Sequence, residues 1–589
     1  MKNSLNTQIS LPPRDSARTR AILACAAWFL AFLLVCLPGI AFADMFGEKR
    51  QFSVDAGYDE QKREAVAATL RVVNSRAYVF VEDAWWDSLQ SFDQYSAQQS
   101  MISLAAEFEQ KIYPAVTQAF GPEWNPGIDG DEHITILFHA MRQDSGGYTN
   151  YGDEYSRFQN PESNEREMVY LNLRYLASPL ASSYLAHEFT HLVTFNQKEL
   201  AHGIKEDVWL NEGRADYAPT LLGYDVLLSD SNIKRRIRAF LDAPTGSLVE
   251  WSNDPEDYGM ANLFVQYVVD QYGARVLADS LNAGSAGAAS LEEGLRKGGF
   301  SEDFEDVFLN WTIALFLNDC SYGERYCYHN PQLVNLRVAP QTNFLPSIGD
   351  STLIINSSTK DWAPNWLKVI GGKEVVTVEF KGNSGGRYVV PYLAEDMNRK
   401  FSIHALNLNE RGEGAVTLEG FNKNTRALVF MPIAAAPVFA NETAYPARLF
   451  SFTVSTAERT PEEEQALIAE LTIKLEGLRK EIARIQAILA GDPAALSGGV
   501  VSCAEITRNL FLGLKNSEQV KCLQEFLFSE GVYDEGLVTG GFFAKTLAAV
   551  KRFQEKYASE ILVPIGLSRG TGFVGEKTRE KINELLTRK

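Results

Sequence analysis

Cysteine is scarce in this chain, six residues in 589, and histidine is nearly as rare at seven. Cys25 and Cys36 lie in an N-terminal apolar run, which leaves Cys320, Cys327, Cys503 and Cys522 for the body of the protein. These four form two local pairs, far apart and without C-x-x-C spacing, so a four-cysteine metal site is not the reading. No run of five or more basic residues occurs. With 75 acidic against 56 basic residues the formal charge is −19, and phosphates would be repelled, so general nucleic-acid binding is excluded. Beyond residue 43 no segment is long and apolar enough to be a spanning helix. A composition of 45% hydrophobic and 22% charged residues excludes a wholly disordered or multi-span membrane protein.

The first 43 residues read as an export leader. Lys2, Arg14, Arg18 and Arg20 precede an apolar run over Ala21–Leu37, Pro38 and Gly39 break it, and Ala41-Phe42-Ala43 offers small residues at the two positions a signal peptidase reads. The expected cleavage falls before Asp44; the alternative is an uncleaved anchor. In an exported chain an even cysteine count reads as disulfides, Cys320–Cys327 closing a short loop and Cys503–Cys522 stapling a small domain.

The remaining length suits several domains. Residues 44–330 predict an α+β domain, with strands at 77–83, 134–141 and 169–173. A helix over 97–119 carries Leu104, Phe108, Ile112 and Val116 on one face, and helical patterns dominate from 205 to 318. Residues 44–75 are either part of this domain or a propeptide. Short β-rich runs with Gly, Asn and Pro between them predict a β-sandwich over 335–456. In 460–490, Ile468, Leu471, Leu475, Leu478, Ile482, Ile485 and Leu489 step by three and four, an apolar seam of about three heptads. Its two readings are a helical spacer and a dimerising coiled coil. Residues 501–588 read as a small three-helix domain.

His187-Glu188-Phe189-Thr190-His191 is the motif that carries chemistry. On a helix, His187 and His191 lie one turn apart on one face, so both imidazoles can reach a single Zn²⁺. Glu188 lies about 100° around the helix, beside the metal, where it can take a proton from the attacking water. Zinc needs a third protein ligand, and Glu212 is the candidate, in Trp209-Leu-Asn-Glu-Gly-Arg-Ala-Asp-Tyr217. Asp216, four residues on, shares its helix face and can accept the free ring N–H of a ligand histidine. Tyr258, before the next helix, is the candidate donor to the oxyanion. Asn125–Asp131 is acidic and Gly-rich; it reads as a turn, with bound Ca²⁺ as the alternative. Gln143–Asp153 reads as a surface loop, with lining of the cleft as the alternative. His133, His139, His329 and His404 have no partners at ligand spacing and are taken as structural.

H-E-x-x-H followed some twenty residues later by N-E-x-x-x-D resembles the gluzincin metallopeptidases, thermolysin-like at the zinc site and closer overall to the hyicolysin type. The resemblance covers mainly residues 130–320. It implies His187, His191 and Glu212 as zinc ligands, Glu188 as general base and Asp216 as support for a ligand. It also implies a small sheet above the active-site helix, with Val169–Leu173 near the edge where an extended peptide adds as a strand. A tyrosine at 258 resembles the arrangement of aminopeptidase-type gluzincins. Residues 501–588, with Gly541-Phe-Phe-Ala-Lys-Thr546 partly repeated as Gly572-Phe-Val-Gly-Glu-Lys-Thr578, resemble a peptidoglycan-binding domain. An insertion after Tyr557 departs from that pattern. Together these imply a secreted zinc endopeptidase acting on polypeptides and held at the cell wall. The alternatives are a peptidase of peptidoglycan cross-links and a non-catalytic wall-binding adhesin.

Overall fold

The computed structural model describes residues 44–227, 231–346, 350–383, 386–436, 446–457, part of 465–486, 505–533 and 538–587. They belong to two compact units, one up to Glu458 and the other from Arg459. The expected leader and Cys503 lie outside the described residues. Among the described residues no helix is long and apolar enough to cross a membrane. The chain is a multidomain α+β protein with mixed and antiparallel sheets.

The first unit opens on a six-stranded sheet: β1 (Lys49–Ser53), β2 (Ala65–Val73), β3 (Ala77–Glu82), β4 (Ile134–His139), β5 (Gly147–Tyr148) and β6 (Met168–Asn172), in the order β1-β2-β3-β4-β6-β5. β3, β4 and β6 are parallel neighbours, buried at every residue, which is why their sequences read as unbroken apolar runs. Three of the six strands have no counterpart in the sequence reading. β2 does alternate, burying Val66, Ala68, Leu70 and Val72, but small and polar residues dilute its signal. β5 is two residues long and forms the antiparallel edge beyond β6.

Each face of the sheet has its own core. Phe52, Leu70, Tyr78, Phe80, Leu137 and Tyr170 fill one side. Val79, Val81, Ile136, Phe138 and Leu171 face the helices on the other. There the helical segment 91–120 buries Leu104, Phe108, Ile112 and Val116. The motif helix, Leu180–Thr194, buries Leu185, Phe189, Leu192 and Val193 against it, with the Phe108 and Phe189 rings edge-to-face at 5.1 Å. Helices Val208–Leu221, Asn232–Asp242 and Pro255–Tyr272 follow and close the other side of the cleft. Asp254 and Pro255 start the last of these, the Asp257 carboxylate accepting the Asp254 N–H.

The β-rich segment forms a four-stranded sheet (Glu413–Glu419, Val375–Gly382, Arg448–Ala457, Ser351–Thr359) and a five-stranded one (Phe401–Ala405, Pro391–Asp396, Thr425–Phe430, Leu367–Gly371, Gln341–Leu345). Val376, Val378, Phe452 and Val454 of the first share an apolar cluster with Val369, Tyr392, Leu428 and Phe430 of the second. The segment also reaches into the helical core. Leu393, Val429, Met431 and Ile433 belong to that core, Trp362 packs on Phe304 at 4.7 Å, and Trp366 Nε1 donates to the Thr312 carbonyl at 3.1 Å.

In the second unit, helices Glu518–Ser529, Ala544–Lys556 and Glu576–Thr587 bury Leu523, Phe526, Val550, Phe553 and Ile582. Two buried glutamines repeat one device. Gln524 accepts the Thr539 and Gly540 N–H groups and donates to the Gly541 carbonyl; Gln554 accepts the Gly572 N–H and donates to the Phe573 carbonyl. Each pins the glycine turn that starts the following helix, the physical content of the sequence echo. Of the seam, Ile468, Leu475, Leu478 and Ile482 are helical and exposed; Leu471, Ile485 and Leu489 lie outside the described residues. Cys320 and Cys327 form a disulfide. Cys522 is disulfide-bonded, to a partner outside the described residues.

Candidate metal centre

The structure brings His187, Glu188, His191, Glu212 and Asp216 together where the motif helix meets helix Val208–Leu221. His187 Nε2 and His191 Nε2 lie 3.2 Å apart. Glu212 Oε2 lies 3.3 Å from the first and 3.6 Å from the second. Bonds of 2.0–2.1 Å to a tetrahedral Zn²⁺ put ligand atoms about 3.3–3.4 Å apart, so this triangle has the size of one face of such a shell.

The donor chemistry fits as well. His187 Nδ1 lies 2.9 Å from Asp216 Oδ1, and His191 Nδ1 lies 3.2 Å from Asn211 Oδ1. The Asn211 amide is oriented by its Nδ2 bond to the Tyr151 hydroxyl at 3.2 Å. Both Nδ1 atoms therefore carry the ring protons, and both Nε2 lone pairs converge with a carboxylate oxygen. Three such donors facing one point could hold a metal ion.

With no ion bound, the same carboxylates draw protons onto the ring nitrogens instead. Burial alone would raise the Glu212 carboxyl, but the His191 charge and bonds to both histidines hold it near 2. Burial would lower His187, but Asp216 and Glu212 outweigh it and drive it up to about 10. Asp216 is likewise kept below the ordinary range despite burial, by Arg236, whose Nε lies 2.7 Å away, and by His187. The pocket stabilises positive charge at this point.

Glu188 is buried, with a carboxylate oxygen within 4.8 Å of ring nitrogens of His187 and His191. Burial raises its pKa against the lowering charges of His187 and His191. Thr149 Oγ1 sits 3.0 Å from its Oε2 and 3.0 Å from its backbone oxygen. Edge strand β5 can lie this close because of Gly147: a Cβ there would meet the Tyr170 carbonyl at 2.7 Å and Glu188 Cγ at 3.0 Å. The 143–153 segment is thus a wall of the cleft, carrying β5, rather than the plain surface loop its composition suggests.

The cleft has two lobes, of about 310 and 170 Å³, that share Tyr58, Gly147, His187, Glu188 and Tyr258. Tyr258 donates to Asn253 Oδ1 at 2.9 Å, and Asn253 holds a left-handed backbone that asparagine tolerates. Burial first, then the Glu212 charge, raise the Tyr258 pKa. Tyr58, stacked on Tyr148 at 4.5 Å, is raised by burial and by Glu188 and Glu212.

Tyr58, Thr149, Asn211 and Arg236 escaped the sequence reading. Asn211 had a signal, one position before Glu212; Tyr58 and Thr149 had none, because they arrive from segments without a chemical motif.

The described residues hold two groups able to take a metal. One is the histidine motif. The other joins Cys320, Glu324, Cys327 and His329, but its sulfurs are tied in the disulfide and offer no thiolate. Neither includes the 125–131 loop, which reads as a turn with Ca²⁺ as the alternative. There Asp131 instead receives the Tyr78 hydroxyl at 2.9 Å and pairs with His133, and Asp129 caps the Asp131 N–H.

No family model matches the chain. It is similar to the neutral metalloprotease ShpI of Staphylococcus hyicus, 25% identical over 228 residues, which cover 35% of this chain and 50% of that protein. The chain spans about half the length of the curated relative it matches, as a distant homologue. Among solved structures it is similar to PliG of Aeromonas hydrophila, a periplasmic inhibitor of g-type lysozyme. That likeness, 11% identity over 20% of this chain and 98% of the other with a TM-score of 0.14, carries no argument.

Proposed function

We propose that the chain is an exported zinc endopeptidase that hydrolyses peptide bonds of proteins and is held at the cell wall by its C-terminal unit. The observation that carries the catalytic part is the triangle of His187, His191 and Glu212 with a buried carboxylate, Glu188, beside it. The distant likeness to a neutral metalloprotease supports it. Zinc held by the three donors supplies a Lewis acid that polarises a carbonyl and makes water nucleophilic.

The chain's own residues supply the rest. Glu188, raised by burial and oriented by Thr149, takes a proton from the attacking water and passes it to the leaving amine. Asp216 and Asn211 fix the tautomers of the two histidines. Tyr258, on the rim of both lobes, gives up its bond to Asn253 and donates to the oxyanion as the carbonyl becomes tetrahedral. The outer side of β5 offers backbone groups to an extended substrate. Wall association rests on the repeated turn-and-helix pattern of residues 501–588 and the resemblance it carries. Export rests on the leader.

The test is casein hydrolysis by the chain starting at Asp44, beside Glu188→Ala, with zinc measured in both. Activity in the first and none in the zinc-loaded second establishes the peptidase. Inactivity in both with zinc bound sinks the general-protease reading, and release of peptides from purified sacculi then identifies a wall-peptide substrate. Failure to cosediment with sacculi removes the wall-binding part.

A further inference from the structure

The larger lobe of the cleft is lined by three guanidinium groups, Arg142, Arg235 and Arg236. Two are committed. Arg236 binds both oxygens of Asp216, at 2.7 and 3.1 Å. Arg142 forks onto Asp144 through Nε and Nη2, both at 3.2 Å. Arg235 is not. Its Nη2 donates to Asn232 Oδ1 at 3.2 Å, a neutral acceptor, and its guanidinium stands 5.4 Å from the Tyr184 ring centroid. Among the described residues no carboxylate lies within ion-pairing distance of it.

Arg235 is nevertheless held in place. The Asn232 Nδ2 donates to Asp216 Oδ1 at 2.9 Å, which turns the Asn232 oxygen toward Arg235. One of five guanidinium N–H groups is used, and the others are available to the lobe. The other acids here are engaged: Asp144 by Arg142, Asp216 by Arg236 and His187, Glu188 by the reaction assigned to it. An apolar side chain in this lobe would desolvate Arg235 and return no partner. A carboxylate would form a charge-assisted, two-bond pair with it.

We propose that Arg235 makes this lobe a carboxylate-recognising subsite, so that the preferred peptide places a carboxylate there. The inference rests on the peptidase reading. The carboxylate belongs either to an acidic side chain or to the substrate's C-terminus, and both present the same group to the guanidinium.

The test uses the zinc-loaded full chain and quenched fluorescent peptides in which Glu, Gln, Leu or Lys is scanned through each position, every peptide as free acid and as C-terminal amide. At the position seated in the lobe, Glu is expected to exceed Gln in kcat/KM by about 10–100-fold. That ratio is expected to collapse to within about threefold in Arg235→Met and to turn toward Lys in Arg235→Glu. A preference that follows free acid over amide instead assigns the carboxylate to the chain end and supports the same subsite. No carboxylate preference in the wild type, or one undiminished in Arg235→Met, overturns the proposal. Binding of N-acetylglutamate amide against N-acetylglutamine amide, by calorimetry, reads the lobe without turnover. Arg235-dependent binding without any cleavage would refute the peptidase reading and keep the subsite; equal binding of the two would refute the subsite. Melting temperature and zinc content of both variants exclude misfolding as the cause.

Discussion

Asp216 joins His187 to Arg236: one oxygen lies 2.9 Å from the ring Nδ1 of His187, and the other 2.7 Å from the guanidinium Nε of Arg236. A single carboxylate thus links the ring it orients to helix Asn232–Asp242. Asp216→Asn keeps the shape but removes the charge, and its amide can turn an N–H toward the ring. Zinc affinity is expected to fall about 10–100-fold, read by competition with a chromogenic chelator. An unchanged affinity would mean that Asp216 serves only to hold Arg236.

Two tyrosines border the candidate metal site, and their hydroxyls differ in engagement. Tyr258 is held by Asn253. Tyr258→Phe is expected to lower kcat about 10²–10³-fold with KM little changed, as for loss of one oxyanion donor. Tyr58→Phe, measured in parallel, should cost less. A reversed order would move the donor role to Tyr58.

A third prediction concerns pH and lies away from the candidate metal site. Glu154 and Glu167 are both buried; Glu167 adds to the effect of burial on Glu154 through its charge and a hydrogen bond, whereas burial and the Asp129 charge raise Glu167 against the lowering hydrogen bond to Glu154. Burial first drives Glu167 up, to about 7, and Glu154 well above the ordinary range. The folded state then holds protons that the unfolded state, titrating near 4.5, has released. Stability from this pair is present below about pH 4.5 and is lost as pH rises through about 7. Glu167→Gln keeps an acceptor for the Ile128 N–H, which Glu167 Oε1 takes at 2.8 Å, and cannot ionise. Its melting temperature should exceed that of the wild type at pH 8 and converge with it near pH 4.5. Parallel pH profiles would refute this.

In the C-terminal unit, Gln524→Leu and Gln554→Leu each leave buried backbone groups unpaired at a turn. Each should destabilise that unit by about 2 kcal/mol or more. Amide hydrogen exchange across residues 505–587 of the full chain measures it. Gln524→Leu should be the worse, since Gln524 accepts two N–H groups where Gln554 accepts one. An effect confined to the mutated turn would deny that the glutamines support the fold of the unit.

What the sequence disclosed follows from how each feature is encoded. His187, His191, Glu212 and Asp216 are spaced by four along two helices, so helical periodicity alone puts each pair on one face. Strands such as Val375–Gly382 and Arg448–Ala457 alternate with period two and could be read directly. β2 was obscured because its buried positions include alanine and its outward ones small residues. Tyr58, Thr149 and Arg235 reach the cleft by tertiary packing from separate segments, and no local spacing marks them. The boundary near residue 330 was visible as a change from helical to strand patterns, but the shared packing of Trp311, Trp362 and Met431 across it was not.

That shared packing bears on how the molecule can be recombined. A chain stopped at residue 330 would strip Trp362 and Trp366 from the helix that carries Phe304 and Thr312. It would leave a raw apolar wound on the half that holds the candidate metal ligands. The β-rich segment is therefore no detachable cassette: a swap that preserves the catalytic half must carry these tryptophans with it, whereas the C-terminal unit has an apolar core of its own.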